Sequence, residues 1–176
     1  LNPKEAFYHF HLGNFLFLFE KELIENGILN QKSAQSFIHR SFREASMLKP
    51  NNFEFQLRYA QSFFDFPDSN KADALIVWNK IEQSFPNRSN IEKDYFRLCR
   101  ARILLELNRQ KDASLLIKAV SSQSLIKAKE SLLLQVNQEN KTDIQNTEVS
   151  KEKQSFYEPS HRQFIPTDPH LERLRK

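Results

Sequence analysis

The sequence is poor in residues that several large classes of protein require. Its 176 residues include only two glycines, whereas dinucleotide-binding and P-loop folds need glycine-rich loops beside phosphate, so we exclude both classes. Glycine is also too scarce for the many turns of β-sandwiches and barrels. The single cysteine excludes a disulfide framework and a multi-cysteine metal site. No apolar run approaches eighteen residues, so we expect neither a membrane-spanning helix nor a membrane partner.

A strong excess of one charge is also lacking. The chain carries 26 basic and 22 acidic residues, a net charge of +4, and the two signs are interleaved, as in Lys21-Glu22. Interleaving is typical of solvated helix faces, whereas a nucleic-acid interface needs a stripe of positive charge. The chain opens at Leu1 rather than Met, which leaves a removed targeting segment open, and we expect a cytoplasmic protein.

Apolar residues recur with helical spacing between short stretches that contain proline beside asparagine, aspartate or serine. We predict seven helices and no sheet, because no stretch alternates with period two between turns. The first helix should end at Asn26-Gly27, since glycine readily adopts the left-handed conformation that closes helices. The predicted helices cover residues 4–25, 31–48, 52–64, 71–85, 91–107, 111–120 and 124–137.

The composition changes near Asn137. The residues beyond it are rich in Asn, Gln, Lys and Glu, and they bury too little apolar surface to offset the entropy of ordering. We therefore divide the chain into a helical repeat domain, residues 1–137, and a polar tail, residues 138–176. The tail is expected to be disordered or to dock on the helical body through aromatic residues such as Phe156 and Phe164.

Similar spacings of small and bulky residues recur along the predicted helices. The second, fourth and sixth helices carry Phe42-Ala45-Pro50, Ala74-Trp78-Ile81-Pro86 and Ala113-Ile117-Val120. The first, third and fifth carry Gly13-Leu16, Ala60-Phe63 and Ala101-Leu104. Small residues let two helices approach closely, and a bulky residue one turn on fills the adjacent gap. We therefore expect a core that contains Phe42, Ala45, Ala74, Trp78, Ala101, Ala113 and Ile117.

These spacings resemble the tetratricopeptide repeat (TPR) family. Leu12-Gly13 matches the Leu-Gly pair of that family's first helix, and Tyr59-Ala60 approximates it. The resemblance covers about residues 5–136 as about three degenerate units, the first with lengthened helices. It implies an all-α protein, a right-handed α-solenoid of antiparallel helix pairs (TPR-like) with a polar C-terminal tail.

Residues that could carry chemistry are few and isolated. His9 and His11 are two positions apart, so on a helix they point away from each other and cannot share a metal ion. Cys99 lies in the middle of a predicted helix, where we expect a buried structural thiol. Glu22 and Glu25 fit a solvated helix face. We therefore predict no enzyme, no catalytic residue, no metal and no cofactor.

The TPR resemblance also implies a binding groove, because the first helix of each pair in that family lines the concave surface. The predicted groove residues are Phe7, Phe10, Asn14, Phe17, Leu18, Leu57, Gln61, Phe64, Tyr95, Leu98 and Arg102. A groove rich in Phe and Tyr would suit an amphipathic helix or an extended aromatic peptide, so we expect a protein or peptide partner.

The first helix has a second peculiarity, since residues 15–19 (Phe-Leu-Phe-Leu-Phe) are apolar on every side. A helix of this kind is buried on more than one face. Three coverings stay open: a bound peptide, a second copy of the chain, or an upstream repeat. We predict a homodimer through residues 7–29, with Phe15, Phe19 and Leu23 as self-association residues.

The sequence thus predicts a non-catalytic interaction or scaffold module that binds a partner peptide or a second copy of itself through an apolar, Phe-rich helical surface. The alternative is an accessory nucleic-acid-binding protein that uses an arginine-rich third repeat. The candidate residues for that alternative are Arg97, Arg100, Arg102, Arg109 and Lys111.

Overall fold

The computed structural model describes the backbone of residues 5–145 and the side chains of residues 5–137. This part of the chain is helical throughout, with one short 3₁₀ turn at Gln123–Leu125 and no strand, so the all-α prediction is confirmed. The helices are α1 (Ala6–Leu18), α2 (Glu20–Glu25), α3 (Gln31–Leu48), α4 (Phe53–Asp65), α5 (Lys71–Ser84), α6 (Asn90–Glu106), α7 (Gln110–Lys118) and α8 (Ile126–Gln145).

The structure moves two predicted boundaries. The predicted helix over residues 4–25 is interrupted at Phe19, although the Phe19 N–H still donates to the carbonyl of Phe15. Phenylalanine is a poorer helix former than leucine or alanine, which is consistent with a break in this Phe-rich stretch. The helix predicted to end at residue 137 continues as α8 to Gln145, so the predicted start of the tail falls within a helix. The residues beyond 137 are mostly polar and include Gln, Glu and Lys, which are good helix formers, so a helix can continue there.

The chain divides into a unit of residues 1–141 and a second unit of residues 142–176. Of the second unit, the structure describes only residues 142–145, the last turn of α8. The predicted docking of the tail through Phe156 and Phe164 lies outside the described residues.

Polar side chains start the helices. Asn30, Asn52 and Asn70 precede α3, α4 and α5, and the side-chain oxygen of each accepts a backbone N–H from the first turn of its helix. Ser89 and Glu92 form a reciprocal capping box at the start of α6. Each cap satisfies N–H groups that have no partner within the helix, so these residues fix where the helices begin.

Two residues with positive φ end the helices α2 and α6. Gly27 has φ 68° and Asn108 has φ 57°. At Gly27 the chain closes α2 by bonds from the N–H groups of Gly27 and Ile28 to the carbonyls of Ile24 and Leu23. This is the bond pattern of a Schellman motif, and the predicted helix end at Asn26-Gly27 is confirmed.

Successive helices pack on one another and enclose the predicted core. Contacts join α1 to α3, α3 to α4, α4 to α5, α5 to α6 and α6 to α7. The bulky and small residues expected at these interfaces have no exposed surface (0%), and they are Phe42, Ala45, Ala74, Trp78, Ala101, Ala113 and Ile117. The repeated spacing therefore predicted the core correctly.

Gly13 sets the distance between α1 and α3. A Cβ atom placed at Gly13 would lie 2.7 Å from Cε1 and 2.9 Å from Cδ1 of Phe42. The Phe42 ring is fully buried and has little room to move, so only glycine permits this approach. The small residue that sequence spacing singled out in the first helix thus has a definite packing role.

Candidate interaction surface

Helix α1 has two opposite apolar faces. The face that we call the inner face carries Ala6, Phe10, Gly13 and Phe17, spaced by four, three and four residues. It packs on the chain's own core, where the ring centroid of Phe10 lies 4.7 Å from that of Phe55 in α4. This face is therefore occupied within the protein.

The opposite face, which we call the outer stripe, carries Tyr8, Leu12 and Phe15 and continues at Phe19, the residue that directly follows α1. These side chains are 47%, 46%, 51% and 45% exposed. Residues three and four apart are neighbours on a helix surface, so the four form one continuous row. The ring centroids of Phe15 and Phe19 lie 4.9 Å apart. The outer stripe is thus an ordered apolar surface open to solvent.

The outer stripe is large enough to mark an interaction site. A large aromatic side chain offers roughly 200 Å² of surface. At about half exposure, the three aromatic side chains and the somewhat smaller Leu12 together leave a little under about 400 Å² of surface in contact with water. Contiguous exposed patches of this size on soluble proteins commonly mark binding sites.

Exposed apolar side chains are concentrated on α1. Helix α1 carries five large ones and α3 carries three, whereas α5, α6, α7 and α8 carry one each. Single exposed apolar residues are normal on soluble proteins and need no partner. On α3, Phe37 lies ten residues before Met47, so its exposed residues form no continuous row like the one on α1.

The predicted groove is only partly open. Phe10 and Leu98 are 8% and 6% exposed and belong to the core, so a partner reaches neither. Phe7 and Leu18 are exposed. The remaining predicted groove residues are half-buried, and they are Asn14, Phe17, Leu57, Gln61, Phe64, Tyr95 and Arg102.

Several predicted groove residues are brought together by contacts within the chain. The Gln61 Nε2 donates a hydrogen bond of 3.2 Å to the Tyr95 hydroxyl, which links α4 to α6. The Arg102 guanidinium lies over the Phe64 ring, 4.6 Å from its centroid. Because these groups already have partners, they act mainly in packing α4 against α6.

Two of the three predicted self-association residues lie on the outer stripe. These are Phe15 and Phe19, whereas Leu23 is half-buried in α2. Tyr8 and Leu12 lie within the predicted segment 7–29, but sequence reasoning did not single them out. The spacing of four, three and four residues that links Tyr8 and Leu12 to Phe15 and Phe19 is visible in the sequence. The prediction named Phe15 and Phe19 because they lie in the continuous apolar run at residues 15–19.

The single thiol is chemically quiet. Cys99 is buried and unpaired, and burial raises its pKa to about 12. Burial likewise raises the pKa of the neighbouring Tyr95 hydroxyl well above its usual range. A nucleophilic cysteine requires an accessible thiolate, which this environment disfavours. Among the described side chains, no three His, Cys, Asp or Glu residues are grouped so that they could hold a metal ion.

Sequence reasoning also missed Asp94, a carboxylate in α6 that is 1% exposed. Its Oδ2 accepts hydrogen bonds from the backbone N–H groups of Ser121 (3.0 Å) and Ser122 (2.8 Å), and Arg97 pairs with its Oδ1 at 2.5 Å. Burial alone would raise the pKa of Asp94, but hydrogen bonds from Ser122 and Ser121 hold it well below its usual range. Asp94 thus ties the segment after α7 to α6, and partners 27 and 28 residues away left no local signal.

The arginines proposed for nucleic-acid binding have carboxylate partners within the chain. The pairs are Arg97–Asp94, Arg100–Glu82, Arg102–Glu106 and Arg109–Asp112, at 2.5, 2.6, 3.4 and 2.6 Å. Binding to a phosphate backbone depends on cations that are free to replace counterions. The local pairing therefore lends this alternative no support, and it stays a prediction.

None of the helices in the described part of the chain is both long and apolar enough to cross a membrane.

Comparison with known proteins adds no assignment. No family model, no curated protein and no solved structure matches the chain significantly, so the TPR resemblance rests on the residues named above.

Proposed function

We propose that this chain is a non-catalytic protein interaction module whose binding surface is the outer stripe of α1. The observation that carries the proposal is the row Tyr8, Leu12, Phe15 and Phe19, about half exposed on a helix whose inner face is already packed. The core does not need this row, and water solvates it poorly. A partner helix with its own apolar row would cover it, in the manner of amphipathic helices that bind grooves and helix faces.

The proposal includes a TPR-like solenoid built from the pairs α1/α3, α4/α5 and α6/α7, followed by α8. An antiparallel order of neighbouring helices is supported by Lys71 at the start of α5, whose Nζ lies 2.9 Å from the Glu106 carboxylate at the end of α6. Contacts between the first helices of neighbouring pairs also support it. The Phe7 and Phe55 rings lie 5.2 Å apart and join α1 to α4, while Gln61 and Tyr95 join α4 to α6. Stacked pairs of this kind form a continuous core and leave broad helix faces for partners.

The predicted cytoplasmic location remains part of the proposal. Cys99 is the only cysteine of the chain and has no partner for an internal disulfide, so its free thiol is compatible with this location. Free thiols are the usual state of cysteine in a reducing compartment.

The proposal is tested by changing the outer stripe without touching the core. The test variant carries Leu12→Gln and Phe15→Gln, and the control carries Ile76→Gln and Leu115→Gln, which remove two similarly exposed apolar side chains from α5 and α7. Tagged full-length chains of wild type and of each variant are expressed in cells, cross-linked mildly to the proteins that they contact and purified by the tag. Circular dichroism checks that both variants fold. We expect wild type and control to retain the same proteins and the test variant to lose them. An identical set on all three would reject the proposal.

A further inference from the structure

Resting on the proposed function, we infer that the partner of the outer stripe is a second copy of this chain. In this arrangement two α1 helices lie antiparallel about a two-fold axis. Tyr8 lies against Phe19 of the partner subunit, and Leu12 lies against Phe15 of the partner subunit. The interface is isologous, so each contact occurs twice.

The spacing of the outer stripe is the same in both directions. Its members are separated by four, three and four residues, so a half-turn about the midpoint between Leu12 and Phe15 places each member opposite another. Position 8 then faces position 19 of the partner subunit, and position 12 faces position 15. An apolar row that matches its own reverse provides the complementary surface that a partner helix must have.

The pairing places aromatic residues at both ends of the interface and sets Leu12 against the partner's Phe15 at its centre. Tyr8 and the partner's Phe19 would form an aromatic pair at each end, in the edge-to-face or offset arrangement that aromatic rings prefer. The Tyr8 hydroxyl lies at the rim in this arrangement and keeps its hydrogen bonds to water. Leu12 fills the space beside the partner's Phe15.

Charge favours the antiparallel over the parallel order. The segment after the stripe is acidic, with Glu20, Glu22 and Glu25 against Lys21 alone. A parallel pair would set this acidic segment beside its own copy, where like charges repel. The antiparallel pair instead places the acidic segment near the start of the partner's α1, where the helix dipole is positive.

The available area indicates a weak rather than a permanent association. Two outer stripes of about 400 Å² each would bury about 800 Å² in total. This is below the roughly 1,000 Å² of a stable specific interface, so we expect a reversible dimer that forms at high micromolar concentration.

Cysteine cross-linking tests the register. Tyr8→Cys and Phe19→Cys are made separately in the full chain, and each is oxidised alone and as an equal mixture at about 200 μM, a concentration that favours a weak dimer. Residue 8 lies about 16 Å along the axis from the partner's residue 8, too far for a disulfide, whereas residue 8 faces the partner's residue 19. Native Cys99 is buried, so the background is low.

We expect the mixture to give at least ten-fold more disulfide-linked dimer than either variant alone. A mixture of Phe19→Cys with Ile76→Cys, an equally accessible position on α5, serves as the control and should give none. Efficient cross-linking of a single variant to itself would contradict the antiparallel order. No cross-linked dimer in any sample, with wild type monomeric by light scattering at the same concentration, would overturn the second copy as partner. In that case stripe-dependent capture of a different protein would leave the proposed function standing, and its absence would remove both.

Discussion

Helices α1 and α6 use apolar residues in different ways. Helix α6 lies between α5 and α7, and eight of its residues are buried, whereas α1 buries three. The charged groups of α6 are matched within the chain, as in Arg97 with Asp94 and Arg102 with Glu106. Helix α1 leaves a row of rings in solvent. The comparison shows that the described unit encloses α6, whereas α1 packs one face on that unit and leaves the other in solvent, where we propose that a partner binds.

The largest expected effect separates the two faces of α1 with the same substitution. Phe10→Ala on the inner face should lower the free energy of unfolding by about 3 kcal/mol, because it removes a buried ring and leaves a cavity. Phe15→Ala on the outer stripe should change it by less than about 0.5 kcal/mol, since the ring is half exposed. Urea denaturation of both variants at low micromolar concentration measures the difference. Equal losses would show that the outer stripe belongs to the core.

The second-largest expected effect concerns Asp94, whose hydrogen bonds join α6 to the segment after α7. Asp94→Asn should cost about 1–3 kcal/mol, because it removes the charge that accepts bonds from Ser121, Ser122 and Arg97. The folded-state pKa of Asp94 is lowered, so its contribution is full above the unfolded pKa of about 4 and is lost as the pH falls below that value. Denaturation at several pH values should show wild type and Asp94→Asn converging in acid. A difference that is constant with pH would refute the role assigned to this carboxylate.

A smaller effect probes the contact between α1 and α3. Gly13→Ala would gain about 1 kcal/mol from helix propensity alone. Its Cβ would collide with the Phe42 ring, so we expect a net loss of about 1 kcal/mol instead. In a Phe42→Leu background the same change should cost less or become favourable, which a double-mutant cycle of unfolding free energies detects. Stabilisation by Gly13→Ala in the wild-type background would contradict the close approach.

The smallest effect concerns an exposed ion pair in α2. Lys21 Nζ lies 3.6 Å from Glu25 Oε1, with side chains 75% and 63% exposed. Glu25→Gln should change the unfolding free energy by less than about 0.5 kcal/mol, because water screens such pairs. Thermal denaturation in low and high salt provides the check. A loss above about 1 kcal/mol would mean that α2 contributes to stability in the same way as α6.

The sequence predicted features that depend on neighbours close along the chain. The spacing of Phe42, Trp78 and Ile117 predicted the core because one helix face repeats every three or four residues. Asn26-Gly27 predicted a helix end because only the local backbone is involved. Asp94 escaped prediction because its partners Ser121 and Ser122 meet it only in the folded chain.

The candidate surface shows the same difference between local features, which the sequence predicts, and features that depend on packing, which it does not. Phe15 and Phe19 were predicted as interaction residues from local apolar content, and the structure leaves both exposed. Phe10 and Leu98 were assigned to a groove, but the structure buries them. The sequence shows that a helix has two apolar faces. Which of them the protein itself covers depends on the packing of α3 and α4, which spacing alone does not determine.

Sedimentation equilibrium between about 2 and 200 μM tests the account most directly, because a weak, reversible dimer should form as the concentration rises through this range. We predict that the average mass of wild type and of Ile76→Ser rises with concentration from one chain toward two. Phe15→Ser, folded and equally stable, should remain at the mass of one chain. A wild-type protein that stays monomeric at the highest concentration, or a Phe15→Ser variant that associates as strongly as wild type, would contradict the assignment of the outer stripe as a surface for a second copy.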